Sequence, residues 1–244
     1  MRPELYMQQQ QLNDMLQQQA NAGGPPAPVM GLPGVYTDYY PPEFWKYNSQ
    51  YAGKLEWIGW RWWDTKTYVS GTTVALTNFF GTIPATIDLG NMQVAAQLAA
   101  PNAFMVRAVG WFLKQRPRAV TAVATANPQT GATDNLSQLA NTGVAQFSIG
   151  NKVYGQWTLH QLTGGGGICS MMTDAGAAAA NLSIDWATNG IADPRAIYTL
   201  SKPIFIAPQI NFKVDITWPT AITLAGTDTP IEFFLDGDIV RPVQ

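Results

Sequence analysis

A single histidine, His160, and a single cysteine, Cys169, bound the chemistry open to this chain. One histidine cannot make a multi-histidine metal site. One cysteine allows neither an intrachain disulfide nor a cysteine zinc cluster. The two stand nine positions apart across the run Gly164–Gly167, which raises the question of a Cys/His pair. Cys169 lies between Ile168 and Ser170 with no nearby Lys or Arg to lower its pKa. The favoured reading is therefore a strand-surface histidine and a packed cysteine. A Ser/His/Asp set needs its serine on a sharp turn, and no GxSxG occurs. The 16 acids are scattered, and spacing alone does not pair any two for glycoside hydrolysis. An Asp-Gly step marks a turn or bulge, and Asp236-Gly237-Asp238 is read as the turn in preference to a calcium loop, because the fuller acidic pattern is missing. Gly164–Gly167 lacks a following GK[ST] and the dinucleotide-binding spacing, so it reads as a flexible loop or a close backbone approach. Asn181-Leu182-Ser183 matches the glycosylation sequon, read as chance. No catalytic, cofactor-binding or metal residue is predicted, and the chain is read as a non-enzyme that needs no cofactor.

Aromatic residues carry the strongest local signal. Trp57, Trp60, Trp62 and Trp63 fall within seven positions, just after Tyr39, Tyr40, Phe44, Trp45, Tyr47 and Tyr51. On a strand, Trp60 and Trp62 share one face, and Trp57 and Trp63 take the other. Three readings fit: a core plus an intersubunit seam, a sugar-stacking platform, or a membrane-interface belt. The first needs no extra partner chemistry. Arg61 sits among the rings and is placed to stack on them.

Three zones must position these residues. In Met1–Ala20, Leu5, Leu12, Met15 and Leu16 are spaced for one helix face among helix-forming Gln residues. The zone is read as an amphipathic helical arm, either a tail without fixed structure or an arm docked on a neighbouring subunit or underlying layer. Leu5, Leu12 and Leu16 join the four tryptophans as candidate assembly residues. Residues 21–42 form a linker whose Gly and Pro break regular elements. Residues 43–244 form a single folded body. Strands are predicted at Lys54–Val69, Phe104–Leu113, Val144–Ile149, Val153–Leu162, Ala196–Ile206, Ile210–Trp218 and Ile231–Val240. In the sixth, Ile210, Phe212, Val214, Ile216 and Trp218 alternate with polar residues. Short helices are expected at Met92–Ala99 and Asp134–Ala140. The long connections Arg116–Gly143 and Thr163–Asp193 are expected to be strand-poor and interface-forming. Period-two alternation implies antiparallel sheets with one buried face.

Composition narrows the function class. Charged residues make up 12% of the 244, about half the usual share, while hydrophobic residues make up 46%. A charge-poor surface rich in Thr, Asn and aromatics loses less hydration when buried against another protein. A secreted or sheltered monomer is the competing explanation. Net charge is −2 with no long basic run, which argues against direct nucleic-acid binding. No apolar run of 18 residues occurs, and Met1-Arg2-Pro3-Glu4 lacks an apolar signal core, so synthesis in the cytoplasm without Sec export is expected.

The helical arm at Leu5–Leu16, the Pro/Gly linker and a body ending in INFKVDITWPTAITLAGTDTPIEFFLDGDIVRPV together resemble bacteriophage jelly-roll capsid proteins, including those of tailless, membrane-containing phages. The resemblance is one of layout and carries no diagnostic motif. It implies an all-β antiparallel jelly-roll sandwich or barrel with long loops and an N-terminal arm. It also implies a virion location, with copies of the chain (a trimer or higher ring) and other virion proteins as partners, and contact with an internal membrane as a further option. A capsid-decorating cement protein of a tailed phage, or a carbohydrate- or receptor-binding β-sandwich module, fits the same facts.

Overall fold

Fourteen consecutive residues, Leu55–Tyr68, form the first strand, β1, as their Trp, Ile, Thr and Tyr content favours. The computed structural model describes residues 40–51, 54–114, 132–162, 169–173, 184–188, 197–224 and 228–243. Leu5, Leu12 and Leu16, with the predicted arm and most of the linker, lie outside these residues.

The remaining strands are β2 (Ala75–Phe79), β3 (Ala103–Leu113), β4 (Val144–Ile149), β5 (Lys152–Thr158), β6 (Cys169–Thr173), β7 (Ile184–Thr188), β8 (Tyr198–Ile206), β9 (Phe212–Thr217) and β10 (Thr229–Pro242). All pairings are antiparallel. β1 pairs with β10, β2 with β9, β3 with β8, and β4 with β5, as in one long hairpin folded at the β4–β5 turn. That turn is tight, and Gly150 occupies it at φ +56°. Two further pairings, β10–β3 and β9–β4, gather the wound hairpin into two four-stranded sheets, β1-β10-β3-β8 and β2-β9-β4-β5. The hairpin β6–β7 is inserted between β5 and β8.

One apolar core lies between the sheets. Trp62, Tyr68, Phe104, Trp111, Phe233 and Leu235 come from the first sheet, and Phe79, Phe147, Phe212, Val214 and Ile216 from the second. Phe79 meets Phe233 across the seam at 6.1 Å. On β9 the outward Lys213 and Asp215 form an ion pair at 2.7 Å. The predicted alternation therefore holds from Phe212 to Trp218. Ile210 departs from it: it precedes the strand and is 43% exposed.

β3 is buried nearly throughout because it is central in its sheet and covered on both faces. Its outer cover is helix α1 (Pro42–Gln50), which sequence reading assigned to linker and body boundary. Pro42 occupies the first helical turn, where its missing N–H costs nothing. Phe44 and Tyr47 then fall on one face and bury against Ala103, Met105, Phe205 and Val240. Burying each is worth about 1.5–3 kcal/mol. The Tyr47 hydroxyl donates to the Pro101 carbonyl at 2.5 Å, with the Val240 carbonyl at 3.3 Å.

Helix α2 (Ala132–Thr142) spans the helix expected at Asp134–Ala140. Leu136, Leu139 and Ala140 bury with Leu159, Leu162 and Trp218. Trp218 Nε1 donates to the Leu139 carbonyl at 3.1 Å. The expected helix at Met92–Ala99 does not form. Its backbone groups bond elsewhere: Ala96 N–H to the Phe80 carbonyl, and the Ala96 and Leu98 carbonyls to Phe212 and Gln209 N–H. Ala96 itself takes φ +58°. β5 ends at Thr158, short of the predicted Leu162, because residues 159–162 turn so that Leu159 and Leu162 enter the core. The Thr163–Asp193 connection contains a hairpin that was not foreseen.

Candidate assembly interface

β1 divides into two environments. Even-numbered residues bond to β10, as the Val243 N–H to Lys54 carbonyl bond at 3.1 Å continues the ladder. Odd-numbered residues therefore aim their N–H and C=O groups at the sheet edge. Between Arg61 and Thr65 that edge is closed. Asn91 Oδ1 accepts the Trp63 N–H at 2.9 Å, and Asn91 Nδ2 donates to the Arg61 carbonyl at 2.8 Å. The Asn91 N–H donates to the Trp63 carbonyl at 3.2 Å, beside an Asp64–Gly90 bridge.

Asp64 reinforces this closure from within. It is buried, Oδ2 accepts the Phe80 N–H at 2.6 Å, and Oδ1 accepts the Thr65 N–H at 2.9 Å. Burial pushes its carboxyl pKa up, against the Phe80 hydrogen bond, the nearby Lys66 charge and the Thr65 hydrogen bond. Phe80 is held at φ 69°, a left-handed conformation that costs an aromatic residue about 1–3 kcal/mol. The bond to Asp64 helps to hold it there.

The four candidate tryptophans separate accordingly. Trp62 enters the subunit core beside Phe104, and its Nε1 has no acceptor among the described residues. It serves the subunit's own core, which leaves it unavailable to a partner. Trp63 donates from Nε1 to the Ile87 carbonyl at 3.2 Å, joining the edge closure. Trp57 and Trp60 remain 38% and 41% exposed. They lie on opposite faces: Trp60 contacts Trp62 at 5.9 Å, while Trp57 contacts Phe44 of α1 at 5.5 Å. Tyr40 lies 6.0 Å from both Trp57 and Trp45, and Trp45 is 39% exposed. Tyr40, Trp45 and Trp57 thus form an aromatic surface at the place where residues 1–39 join the body.

Beyond this surface, charge on the same sheet face is paired. Arg61 meets Asp236 at 2.6 Å and lies over the Phe234 ring at 4.3 Å. The ring contact foreseen for Arg61 therefore falls on Phe234 and not on a tryptophan. Lys114 meets Glu232 at 2.6 Å and Arg107 pairs with Asp238, while on the opposite face Arg241 pairs with Glu56. Such exposed pairs are worth about 0–1 kcal/mol each. Asp236 and Asp238 sit at a β-bulge: the β10–β3 register shifts between Asp236 and Gly237, leaving Arg107 as the extra residue. A Cβ on Gly237 would stand 2.0 Å from the Met105 carbonyl oxygen, which explains the glycine. The favoured turn does not form: residues 236–238 run within β10, opposite the bulge.

His160 lies exposed in the turn after β5, not on the strand where it was expected. Cys169 opens β6, and its side chain lies outside the described residues. Among the described residues, no three His, Cys, Asp or Glu side chains gather as a metal site would require. Sequence reasoning missed Asn91, Asp64 and α1. Only α1 had a usable signal, a proline at the first helical position followed by Phe44 and Tyr47 at helical spacing. Compared with protein-family models, curated proteins and solved structures, the chain finds no match in any of the three.

Proposed function

We propose that this chain is a self-assembling jelly-roll subunit of a virus shell, a bacteriophage coat protein. The observation that carries the reading is the strand order. A long antiparallel hairpin wound into β1-β10-β3-β8 and β2-β9-β4-β5 supports a jelly-roll reading, an architecture used by viral capsid domains and also by lectins and cupins. The exposed tryptophans favour assembly within that set, because Trp and Tyr serve as anchors at protein interfaces. The low charge reduces the hydration lost when such a surface is buried. Contacts with neighbours are assigned to the aromatic surface and the Thr/Asn-rich loops, with residues 1–24 tying each subunit to the next layer.

Electron microscopy and size-exclusion chromatography of the purified chain test this directly, with rings or closed particles as the expected result. Deleting residues 1–24 should leave a folded body that assembles poorly. Normal assembly of the truncated chain would reject the arm's role. A carbohydrate-binding module is the second reading, favoured by the exposed rings of Trp45 and Trp57. Glycan-array binding by isolated subunits that form no particle would put it first.

A further inference from the structure

Closure of the β1 edge stops at Arg61. Among the described residues nothing bonds to the outward N–H and C=O groups of Leu55, Trp57 and Gly59. A Cβ built at Gly59 would meet nothing within 4 Å, so the sheet face is uncovered beside these groups. Folded proteins blunt such edges with charge, proline, bulges or a covering loop. Here Asn91 covers residues 61 and 63, and no proline lies in 55–60. The one charged side chain in that stretch, Glu56, is already paired with Arg241.

We propose that Leu55–Trp60 pairs antiparallel with the same stretch of a second copy, about a two-fold axis at Trp57. This rests on the self-association reading above and assigns it a surface. An open strand edge is complementary to itself, as a two-fold contact requires. In this register Trp57 faces Trp57 of the second copy, Leu55 faces its Gly59, and about six backbone hydrogen bonds form. The side chains are complementary too. Exposed Lys54 falls opposite Trp60 of the second copy, placing an ammonium group beside an electron-rich indole face. Glu56 falls opposite Ile58, so no like charges meet. The two first sheets then continue into each other as one eight-stranded sheet, by strand addition.

The test is residue-resolved amide exchange on the full chain, above and below its association concentration, with mass measured by light scattering. Amides of Glu56, Ile58 and Trp60 bond to β10 and should be protected in both samples. Amides of Leu55, Trp57 and Gly59 should slow by about tenfold or more only in the associated sample. Gly59→Pro removes one outward N–H and should abolish this contact with little change in melting temperature. Association without added protection at Leu55, Trp57 and Gly59 would overturn the edge assignment while leaving self-assembly intact. Protection of those amides in a monomer would also overturn it, by showing that the chain covers its own edge. A chain that stays monomeric at every concentration would remove both readings.

Discussion

The two halves of β1 each carry two tryptophans and one carboxylate, and they meet different environments. In Arg61–Tyr68, Trp62 and Tyr68 are buried, Asp64 reaches across to Phe80, and Asn91 closes the edge. In Leu55–Trp60 no residue is fully buried, two tryptophans are exposed on opposite faces, and outward backbone groups lack partners among the described residues. One strand thus belongs to the subunit's interior at one end and offers a surface at the other. Tryptophan content does not separate the ends. What separates them is the β2–β3 connection, which reaches Arg61 and goes no further.

Substitution at the tryptophans is the strongest way to break this contrast. Trp62→Ala should cost about 3–5 kcal/mol in urea unfolding, the range for emptying a large aromatic site. Trp60→Ala should stay within about 0.5–1 kcal/mol, as for a surface change, and should weaken association instead. Trp62→Phe should cost about 1 kcal/mol or less, because removing the orphaned indole N–H offsets part of the lost packing. Equal costs at Trp60 and Trp62 would erase the distinction between the halves.

Opening the closed half is the next largest effect. Asn91→Ala removes the side-chain bonds to Trp63 N–H and Arg61 C=O and should cost about 1–2 kcal/mol. It should also speed exchange at the Trp63 amide, extending the open edge by one pair. An unchanged Trp63 amide would show that Gly90 and the Asn91 backbone hold the edge without the side chain.

The smallest effect concerns the helix beside the open half. Burial pushes the Tyr47 hydroxyl pKa up from 10.0 to about 12, with the Tyr51 charge adding to the rise. The folded state therefore holds this proton more tightly than the unfolded chain does. The associated stability is fully present below pH 10 and is lost as pH rises through about 12. Circular dichroism and tryptophan fluorescence across that window should show the wild type losing more than Tyr47→Phe. Parallel curves would mean that the hydroxyl contributes nothing to the docking of α1.

Period-two alternation marked β4, β5 and β9, because a half-buried sheet imposes that period on its sequence, while β1, β3 and β10 were legible from their aromatic and aliphatic runs. β4 has the predicted ends Val144 and Ile149, and β1, β3 and β10 lie within one or two residues of prediction. β2 was missed because ALTNF is five residues long and has no flanking alternation. Met92–Ala99 has helix-forming residues, yet its backbone is claimed by Phe80, Gln209 and Phe212, all remote in sequence. Tertiary bonding there overrides propensity.

For the candidate interface, the sequence by itself determined which tryptophans share a face of β1, since alternation is a property of any strand. It also limited the catalytic options, since one histidine and one cysteine are all it holds. Only the tertiary structure decided which tryptophans are covered and where the edge is left open. Those outcomes depend on Asn91 and Asp64 meeting partners 28 and 16 positions away, and no local pattern encodes such a meeting.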